Sequence, residues 1–448
     1  MAHKVYQAHS VLAVAAGILL VAGFCGIAAA QFNYSDQAYK SLAGPNESIP
    51  QGTKITLQNW QQYRRFLPIG LQCLYSGQYF WKIGPEADYG MTVGPTVHIA
   101  LPNQYRKDTE QYSGQVKLHK LDSGGYTIDG YVAGVPFPEP GGQEKGTQVG
   151  YNVRERYHPF LIHYLTNSHT IDRFHSVSLT KGDINTWRLS NLSEPDMPKN
   201  LPYANGVQIV SRFFDFQPEQ VKYTTQLAQV FSDPQRVQEI YVFLPSLRRS
   251  LRLSSAARCS PILGTDWVQD DNGLGFNLQW TNFKVEYLGE HKMLAMMHMD
   301  PVARFRDDSY HLAQSTMPSW PKPVEGNWEL RDTEVIVLTP LSDMKGYCHQ
   351  EKVFYVDKET WQPFNVDIYD VQNHLWKTDY ALITPIPIND HEKAVVPGSF
   401  NEVMVDLQNA HMSTSEIYAE LTANKFAPQK YWSAQSLAFP SGLAEIMQ

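Results

Sequence analysis

The chain has 448 residues, of which 43% are hydrophobic and 12% aromatic, and it carries a formal net charge of −8. This length allows a large core and about one to three domains, and the aromatic content is typical of a β-rich globular protein. The mild acidity and the absence of a Lys/Arg run give no basic surface for nucleic acid or an anionic membrane, so we expect no nucleic-acid partner.

The N-terminus has the features of a secretory signal. The apolar run VLAVAAGILLVAGFCGI is followed by three alanines at residues 28–30 and then by the polar QFNYSDQ. This pattern predicts a signal peptide over residues 1–30, cleaved after Ala30, and a periplasmic chain that begins at Gln31. A single membrane anchor is the alternative, because the run is close to the shortest length that spans a bilayer. Phe24 stands where lipidation of Cys25 would require a small residue.

Three cysteines remain after removal of the signal: Cys73, Cys259 and Cys348. Export permits disulfides, and an odd number leaves at least one thiol unpaired. Cys259 in ARCSP and Cys348 in GYCHQ each lie just outside a strong strand pattern, whereas Cys73 lies in the apolar PIGLQCLYSGQYF. We therefore predict a disulfide between Cys259 and Cys348, with Cys73 as a buried free thiol.

The first half of the chain mixes helix and strand signals. NWQQYRRFLPIGLQCLYSG, residues 59–77, predicts a helix broken at Pro68. Residues 124–142 predict a strand followed by a Pro/Gly loop. QPEQVKYTTQLAQVF, residues 217–231, predicts a helix with Pro218 in its first turn, where the missing N–H is not needed.

Strand patterns dominate from residue 239 onwards. EIYVFLPSLRRSLRLS, residues 239–254, predicts a hairpin whose second half places Leu251 and Leu253 on an apolar face. NFKVEYLGEHKMLAMMHM, residues 282–299, predicts a second hairpin that turns at Gly289. WELRDTEVIVLTP, residues 328–340, predicts a further strand after a long Pro-rich loop.

Residues 354–380 alternate with period two between polar turns. Successive side chains of a strand lie on opposite sides of a sheet, so this pattern predicts an antiparallel meander with one buried face and one solvent-exposed face. Phe364, Val366 and Ile368 belong to the predicted buried face. The predicted exposed face carries Asn365, Asp367, Tyr369, Lys377 and Asp379.

The C-terminal region is predicted to be helical. Pro385 and Pro387 end the predicted sheet, and SFNEVMVDLQNAHM begins with Ser399 and Glu402 at capping-box spacing. We therefore predict a helical tail over residues 386–448. No internal repeat, low-complexity tract or linker indicates a domain boundary.

No pattern in the sequence assigns a metal or a catalytic site. His291 and His298, with methionines between them, suit a soft metal, and Asp266, Asp270 and Asp271 suit Ca²⁺. A Met-rich apolar strand and a polar turn are the favoured interpretations. HExxH, CxxC and GxSxG are absent, and the S-x-x-K match SLTK lacks its partner motifs. We therefore predict no metal, no cofactor and no catalytic residue.

Several stretches together resemble a family of exported Gram-negative proteins of unknown function, commonly labelled outer-membrane lipoprotein-sorting proteins. The stretches are NWQQYRRFLPIGLQCLYSGQYFWKI, GGYTIDGYVAGVPFP, EIYVFLPSLRRSLRLS, ARCSPILGTDW and GYCHQEKVFYVDKETWQPFNVDIYD. Within the last, VFYVDKETWQPFNVDIYD resembles the late hairpin of the lipoprotein carriers LolA and LolB. The resemblance implies a mainly β (α+β) fold, with a large curved antiparallel sheet that forms an incomplete LolA/LolB-like barrel closed by helices. It implies one large domain over residues 31–448, with a β-rich body over residues 59–385.

The resemblance also implies a function. It indicates a monomeric periplasmic carrier or chaperone that binds a lipid, lipoprotein acyl chains or an exported hydrophobic compound in the half-barrel. Lipoproteins or a resistance-nodulation-division type exporter are the implied partners. Burial of about 0.8 kcal/mol per methylene would favour binding of an acyl chain by roughly 10 kcal/mol. The alternatives are a structural accessory of an envelope or exporter complex, and an enzyme that acts on a hydrophobic substrate.

The predicted cavity wall comes from two groups of strands. The late meander provides one group and the earlier strands provide the other, because both show unbroken apolar alternation. The predicted ligand-binding residues are Phe364, Val366, Ile368, Leu251, Leu253 and Met297. The residues by which LolA and LolB take up and release lipoproteins have no counterparts that can be matched in this sequence.

Overall fold

The computed structural model describes residues 32–77, 91–174, 176–253, 258–275, 278–299, 328–344, 346–398 and 400–447. The predicted signal peptide and its cleavage site lie outside the described residues, as does the Pro-rich loop over residues 300–327. Within the described ranges, no helix has both the length and the apolar character needed to cross a bilayer.

An antiparallel sheet of 13 strands organises the described chain. In spatial order from one edge to the other, the strands are β10 (Arg249–Arg252), β9 (Glu239–Leu244), β8 (Thr225–Phe231), β7 (Val207–Gln217), β6 (Val177–Arg188), β5 (Leu161–Ile171), β19 (His411–Ala423), β18 (Phe400–Asp406), β15 (Leu375–Ile383), β14 (Pro363–Tyr369), β13 (Glu351–Asp357), β12 (Glu329–Pro340) and β11 (Phe283–Ala295). Strands β10 and β11 are the two edges, so the sheet is not closed into a barrel. The predicted mainly β fold with a large, incompletely closed antiparallel sheet is confirmed.

The remaining elements are short. Two-stranded sheets pair β1 (Lys54–Ile55) with β2 (Met91–Thr92), β3 (Lys117–Lys120) with β4 (Tyr126–Asp129), and β16 (Ile386–Pro387) with β17 (Lys393–Ala394). The α-helices include α1 (Asp36–Lys40), α2 (Trp60–Tyr63), α3 (Ile69–Ser76), α4 (Asn103–Tyr112), α5 (Lys145–Glu155) and α6 (Ala434–Leu437). Asn272–Gly275 forms a further short turn, in which Gly273 and Leu274 have positive φ. The 3₁₀-helices include Arg64–Phe66, Ser113–Gln115, Pro245–Leu247, Trp280–Asn282, Asn424–Phe426, Gln429–Trp432 and Pro440–Met447.

The sheet has an early half, β5 to β10, and a late half, β11 to β15, with β18 and β19 between them. Residues paired across antiparallel strands lie on the same face. The strand register therefore places Ile184, Phe213 and Val366 on one face, which we call the cavity face. The other side is called the opposite face.

Both faces of the late half are covered by helices at close range. On the cavity face, α5 lies so near β11 that a Cβ added at Gly146 would be 2.7 Å from the backbone carbon of Glu286. On the opposite face, the backbone N–H of Gly70 in α3 donates to Asp367 Oδ1 at 3.1 Å. Glycine is required at these positions, because a side chain would overlap the strand beneath.

The predicted exposed face of the late meander is buried, so this prediction was wrong. Asn365, Asp367 and Tyr369 are at most 1% exposed because α1 and α3 cover them. Lys377 and Asp379 are also buried, but they pair with Ile368 and Val366 and therefore lie on the cavity face. The side chains on the opposite face satisfy one another: Asp367 Oδ2 accepts hydrogen bonds from the hydroxyls of Tyr355 at 2.9 Å and Tyr39 at 3.2 Å. Alternation reports side-chain polarity, and a hydrogen-bonded polar face can be buried at little cost.

The C-terminal segment covers the opposite face of the early half. Trp187 Nε1 donates to the carbonyl of Tyr431 at 2.8 Å, and Gln229 Nε2 donates to the carbonyl of Ala438 at 2.9 Å. These contacts belong to a separate hydrophobic cluster that joins β5 to β9 with residues 427–443.

Several local predictions are confirmed. Residues 59–77 form α2, a 3₁₀ turn and α3, and α3 begins directly after Pro68. Residues 239–254 contain the hairpin of β9 and β10. The strand predicted within residues 328–340 is β12.

The predicted helical tail is wrong over its central part. Residues 400–406 and 411–423 form β18 and β19, which join the two halves of the sheet. The spacing of Ser399 and Glu402 is a local helix signal, and pairing with β15 and β5 on either side overrides it.

Two earlier predictions also differ from the structure. The helix predicted over residues 217–231 is wrong. Gln217 ends β7, a turn follows, and residues 225–231 form β8, because pairing with β7 and β9 outweighs the local pattern. The hairpin predicted over residues 282–299 is the single strand β11. Its register shifts between Tyr287 and Gly289, where a bulge with Leu288 as the extra residue stands in place of the turn predicted at Gly289.

Candidate functional site

A loop over residues 258–275, the cap loop, lies against the cavity face. It is joined to the segment before β13 by the disulfide Cys259–Cys348, with Cα atoms 5.7 Å apart. This is the pair expected from the sequence, and Cys73 is a buried free thiol. The disulfide therefore ties the cover of the early half to the late half of the sheet.

Charged side chains hold the cap loop in place. Two of its three aspartates pair with residues of the sheet, and Asp270 pairs with Arg258 within the loop itself. The pairs are Asp266 Oδ2 with His411 Nδ1 (2.6 Å), Asp270 Oδ2 with Arg258 Nε (3.1 Å), and Asp271 Oδ1 with Lys352 Nζ (2.5 Å). The Ca²⁺ interpretation of these aspartates therefore has no support. Within the described ranges, no group of three or more His, Cys, Asp or Glu residues is arranged to hold a metal ion.

The pair of Asp271 and Lys352 is deeply buried. Burial alone would raise the pKa of Asp271, but the positive charge of Lys352 and the nearby His349 outweigh it and hold the pKa well below its usual range. Burial lowers the pKa of His349. Asp271 of the cap loop therefore stays ionised.

A pair of neighbouring carboxyl groups, Asp379 and Glu402, lies under the cap loop. Trp267 Nε1 donates to Asp379 Oδ2 at 3.3 Å, and the backbone N–H of Leu274 donates to Glu402 Oε1 at 3.1 Å. Burial raises the pKa of Glu402 to about 7 and raises that of Asp379 well above its ordinary value, with the neighbouring Glu402 adding to the effect on Asp379. The pair therefore holds at least one proton near neutral pH.

A first cavity, the sheet cavity, lies between the cap loop and the early half. Its volume is about 130 Å³. Ile262 and Trp267 of the cap loop line it from above. The floor consists of residues two apart on three neighbouring strands, namely Ile184 and Thr186, Ser211 and Phe213, and Gln226 and Ala228. Glu402 also lines this cavity, so the buried carboxyl pair reaches its wall.

A second cavity, the edge cavity, lies beside the first one, towards β10. Its volume is about 160 Å³, and it shares Gln226 and Ile262 with the sheet cavity. Val242 and Leu253 give it an apolar wall, while Asp215 of β7 gives it a carboxyl group. The two cavities therefore adjoin each other at these shared residues under the cap loop.

The structure separates the six residues predicted to bind ligand. Phe364, Val366, Ile368 and Met297 belong to the main hydrophobic core and line neither cavity. Leu251 is half-buried on β10, and Leu253 lines the edge cavity. Val366, Ile368 and Leu251 do share the cavity face, but eight strands separate β14 from β10. Ligand binding at these residues stays a prediction from the sequence.

The sequence contains little signal for the residues that do line the cavities. The cavity-face residues of β6 and β7 combine small polar side chains with apolar ones, as at Thr186 and Ile184, and neither strand alternates regularly between polar and apolar residues. Because residues 217–231 are predicted to be helical, the sequence does not indicate that Gln226 and Ala228 lie on a strand of the cavity face. The cap loop carries no sequence pattern that shows which strands it covers.

Comparison with known proteins gives a family and several solved structures. The family described as "Protein of unknown function (DUF1329)" matches residues 54–438. No curated protein matches the sequence.

Three solved structures are similar at low sequence identity. A structure described as an outer membrane lipoprotein-sorting protein domain from Vibrio parahaemolyticus is 15% identical, covers 66% of this chain and 99% of its own, and has a TM-score of 0.44. A DUF1329 family protein from Desulfovibrio piger is 12% identical, with coverages of 66% and 98% and a TM-score of 0.44. A LolA superfamily protein from Nitrosomonas europaea is 13% identical, with coverages of 64% and 97% and a TM-score of 0.35.

Proposed function

The chain belongs to the DUF1329 family of proteins of unknown function, and from this premise we propose that it is a periplasmic carrier that binds a hydrophobic ligand between the cap loop and the early half of its sheet. The observation that carries the proposal is the pair of adjoining cavities on the cavity face. They occur where a loop covers the sheet, whereas the helix-covered late half is packed.

The walls of the two cavities suit an elongated, mostly apolar molecule. Ile184, Phe213 and Ile262 provide apolar surface, and Ser211 and Gln226 provide hydrogen-bonding groups. Cavities of about 150 Å³ in other proteins bind a benzene-sized ligand. Each cavity therefore has room for a group of that size, and a ligand that spans both would gain affinity from each apolar wall.

The disulfide supports the periplasmic part of the proposal. Bonds such as Cys259–Cys348 form and persist in oxidising compartments. Together with the predicted signal peptide, this favours export and cleavage after Ala30. Lipoproteins and a resistance-nodulation-division type exporter remain the partners that the family resemblance implies for such a carrier.

Mass spectrometry of the natively purified protein tests the proposal. We expect organic extraction to release a hydrophobic small molecule in near-stoichiometric amount. Ala228→Phe should lower the recovered amount severalfold, because the added ring occupies the sheet cavity. Ser250→Phe on β10 is the matched control, since this exposed position faces neither cavity. Equal recovery from both variants, or no ligand from the wild type, would contradict the carrier and favour a structural accessory.

One observation favours a second candidate, an enzyme that acts on a hydrophobic substrate. Glu402 lines the sheet cavity and has a pKa raised to about 7 by burial, which suits proton transfer at neutral pH. Incubation with the extracted molecule distinguishes the candidates. A carrier returns it chemically unchanged, whereas an enzyme converts it at a rate that Glu402→Gln lowers by about a hundredfold or more.

A further inference from the structure

The edge cavity contains a buried carboxylate without a hydrogen-bond partner. Asp215 is 0% exposed, and within the described ranges neither of its side-chain oxygens has a hydrogen-bond partner. Its backbone is ordinary, since its N–H donates to the carbonyl of Thr224 at 2.9 Å. Buried acidic groups are nearly always paired, so an isolated one in a cavity requires an explanation.

The fold directs this side chain into the cavity. Asp215 lies two residues after Phe213 on β7, so both side chains lie on the cavity face. Its cross-strand partner on β6 is Gly182, which places no side chain opposite the carboxylate. Val242 and Leu253 give the cavity apolar surface. Its polar lining residues make no hydrogen bond to the carboxylate; they are Thr224, Gln226, Ser260 and Gln269.

No cation of the described chain neutralises this carboxylate. None of the described residues that line the edge cavity is a lysine, an arginine or a histidine. On the neighbouring β10, Arg249 and Arg252 are exposed, and Arg252 pairs with Glu239 at 3.0 Å. Burial raises the pKa of Asp215 to about 7, as expected for an acid in an apolar site without a counter-ion.

We propose that the hydrophobic ligand is an amine, and that its ammonium group pairs with Asp215 in the edge cavity while its hydrocarbon part extends past Gln226 into the sheet cavity. An ammonium group provides both the missing charge and the missing hydrogen-bond donors. This inference rests on the proposed function and narrows the ligand to one chemical class.

Three probes with the same hydrocarbon chain and different head groups test the inference: n-octylamine, n-octanol and n-octanoate. Isothermal titration calorimetry at pH 8 keeps the amine protonated and favours the ionised form of Asp215. We expect the wild type to bind octylamine about tenfold or more tightly than octanol, and octanoate most weakly. Asp215→Asn should weaken octylamine about tenfold or more and change octanol by less than about threefold.

Two further variants distinguish the effect of the Asp215 charge on binding from the general effects of a substitution. Asp215→Glu keeps the charge and should retain the preference for octylamine. Asp122→Asn removes the same charge from an exposed loop and should leave all three affinities unchanged. Thermal melts establish that each variant is folded.

The outcomes separate this inference from the proposed function. If octanol binds but the wild type shows no preference for octylamine, or if Asp215→Asn keeps that preference, the amine inference is overturned and the carrier stands. If the wild type binds none of the three probes, both fail. If Asp215→Asn does not fold, the ranking of the probes on the wild type decides.

Discussion

The two halves of the sheet are built from similar antiparallel strands, but one half is packed on both faces and the other contains cavities on one face. In the late half, α3 and α5 lie on opposite faces and the strand residues between them form the main core. In the early half, the C-terminal segment covers one face tightly, while the cap loop covers the other and leaves two cavities. Alternation within a strand therefore does not determine whether its inner face forms a packed core or a cavity. The element that covers the strand determines this.

Side-chain size contributes to the difference. Phe354 pairs with Val366 on the cavity face of the late half, and both are buried. The matching positions of the early half include Ser211 and Ala228, which pair with each other on β7 and β8. Small side chains beneath a loop leave unfilled space, whereas large ones beneath a helix interdigitate.

The disulfide that connects the halves has the largest expected effect on stability. The bond joins two cysteines that are 89 residues apart in the sequence and so closes a long loop. In the chain-entropy model, the double variant Cys259→Ser, Cys348→Ser should lower the free energy of unfolding by roughly 4 to 5 kcal/mol. Urea unfolding monitored by circular dichroism measures this change. A loss below about 1 kcal/mol would mean that the ion pairs alone hold the cap loop.

A matched pair of isoleucines sharpens the comparison between the halves. Ile368 is 1% exposed in the late half, whereas Ile184 is half-buried and lines the sheet cavity. Ile368→Ala should cost about 3 kcal/mol, because it creates a cavity in a packed core. Ile184→Ala should cost only about 1 kcal/mol, since it enlarges an existing space. Equal losses in urea unfolding would contradict the distinction between a solid and a hollow half.

The sequence predicts the strands better than it predicts their surroundings. The late meander and the hairpin of β9 and β10 follow from period-two alternation, which is a local property. The same alternation could not show that α1 and α3 bury Asp367, because those helices lie about 300 residues earlier in the chain. Strands β8 and β18 were missed because pairing on both sides overrides weak local helix signals.

The site was less predictable than the fold, for a physical reason. The lining of the sheet cavity comes from six strands and from the cap loop. The ion pairs between this loop and the sheet join residues far apart in sequence. Asp215 lies in RFFDFQ, where nothing in the sequence distinguishes it from an exposed acid. Only the structure shows that it is buried without a hydrogen-bond partner among the described residues.

Asp215 in the early half and Asp367 in the late half are both buried acids, and their effects on the free energy of unfolding should differ. Burial raises the pKa of Asp215 to about 7 and that of Asp367 to about 6. A raised acid pKa gives stability that is present at low pH and is lost as pH rises through the folded pKa. Asp215→Asn should therefore raise the free energy of unfolding at pH 8 by about 2 kcal/mol and leave it unchanged near pH 4. The full pKa shift would give roughly 4 kcal/mol as an upper limit.

Asp367→Asn is the late-half counterpart and should have the opposite sign. The Asp367 carboxylate accepts hydrogen bonds from Tyr355, Tyr39 and the backbone of Gly70. An amide cannot accept all of them, so donors would be left buried and unsatisfied. Denaturant unfolding at pH 4 and pH 8 measures both variants. A gain in stability from Asp367→Asn would contradict the contrast between a satisfied and an unsatisfied buried acid.

The smallest expected effect on stability comes from the pair of Asp266 in the cap loop and His411 of β19. The hydrogen bond from His411 to Asp266 raises the pKa of this half-buried histidine above its usual value. A raised histidine pKa gives stability that is fully present below the unfolded pKa of about 6.5 and is lost as pH rises through the folded pKa. His411→Gln should therefore cost less than about 1 kcal/mol at pH 6, because the pair is partly exposed, and nothing above about pH 9. His374→Gln, at an exposed turn beyond the cap loop, is the control. A cost from His411→Gln that does not fall between pH 6 and pH 9 would show that the imidazole ring acts through packing. The ion pair would then have no part in holding the cap loop over the cavities.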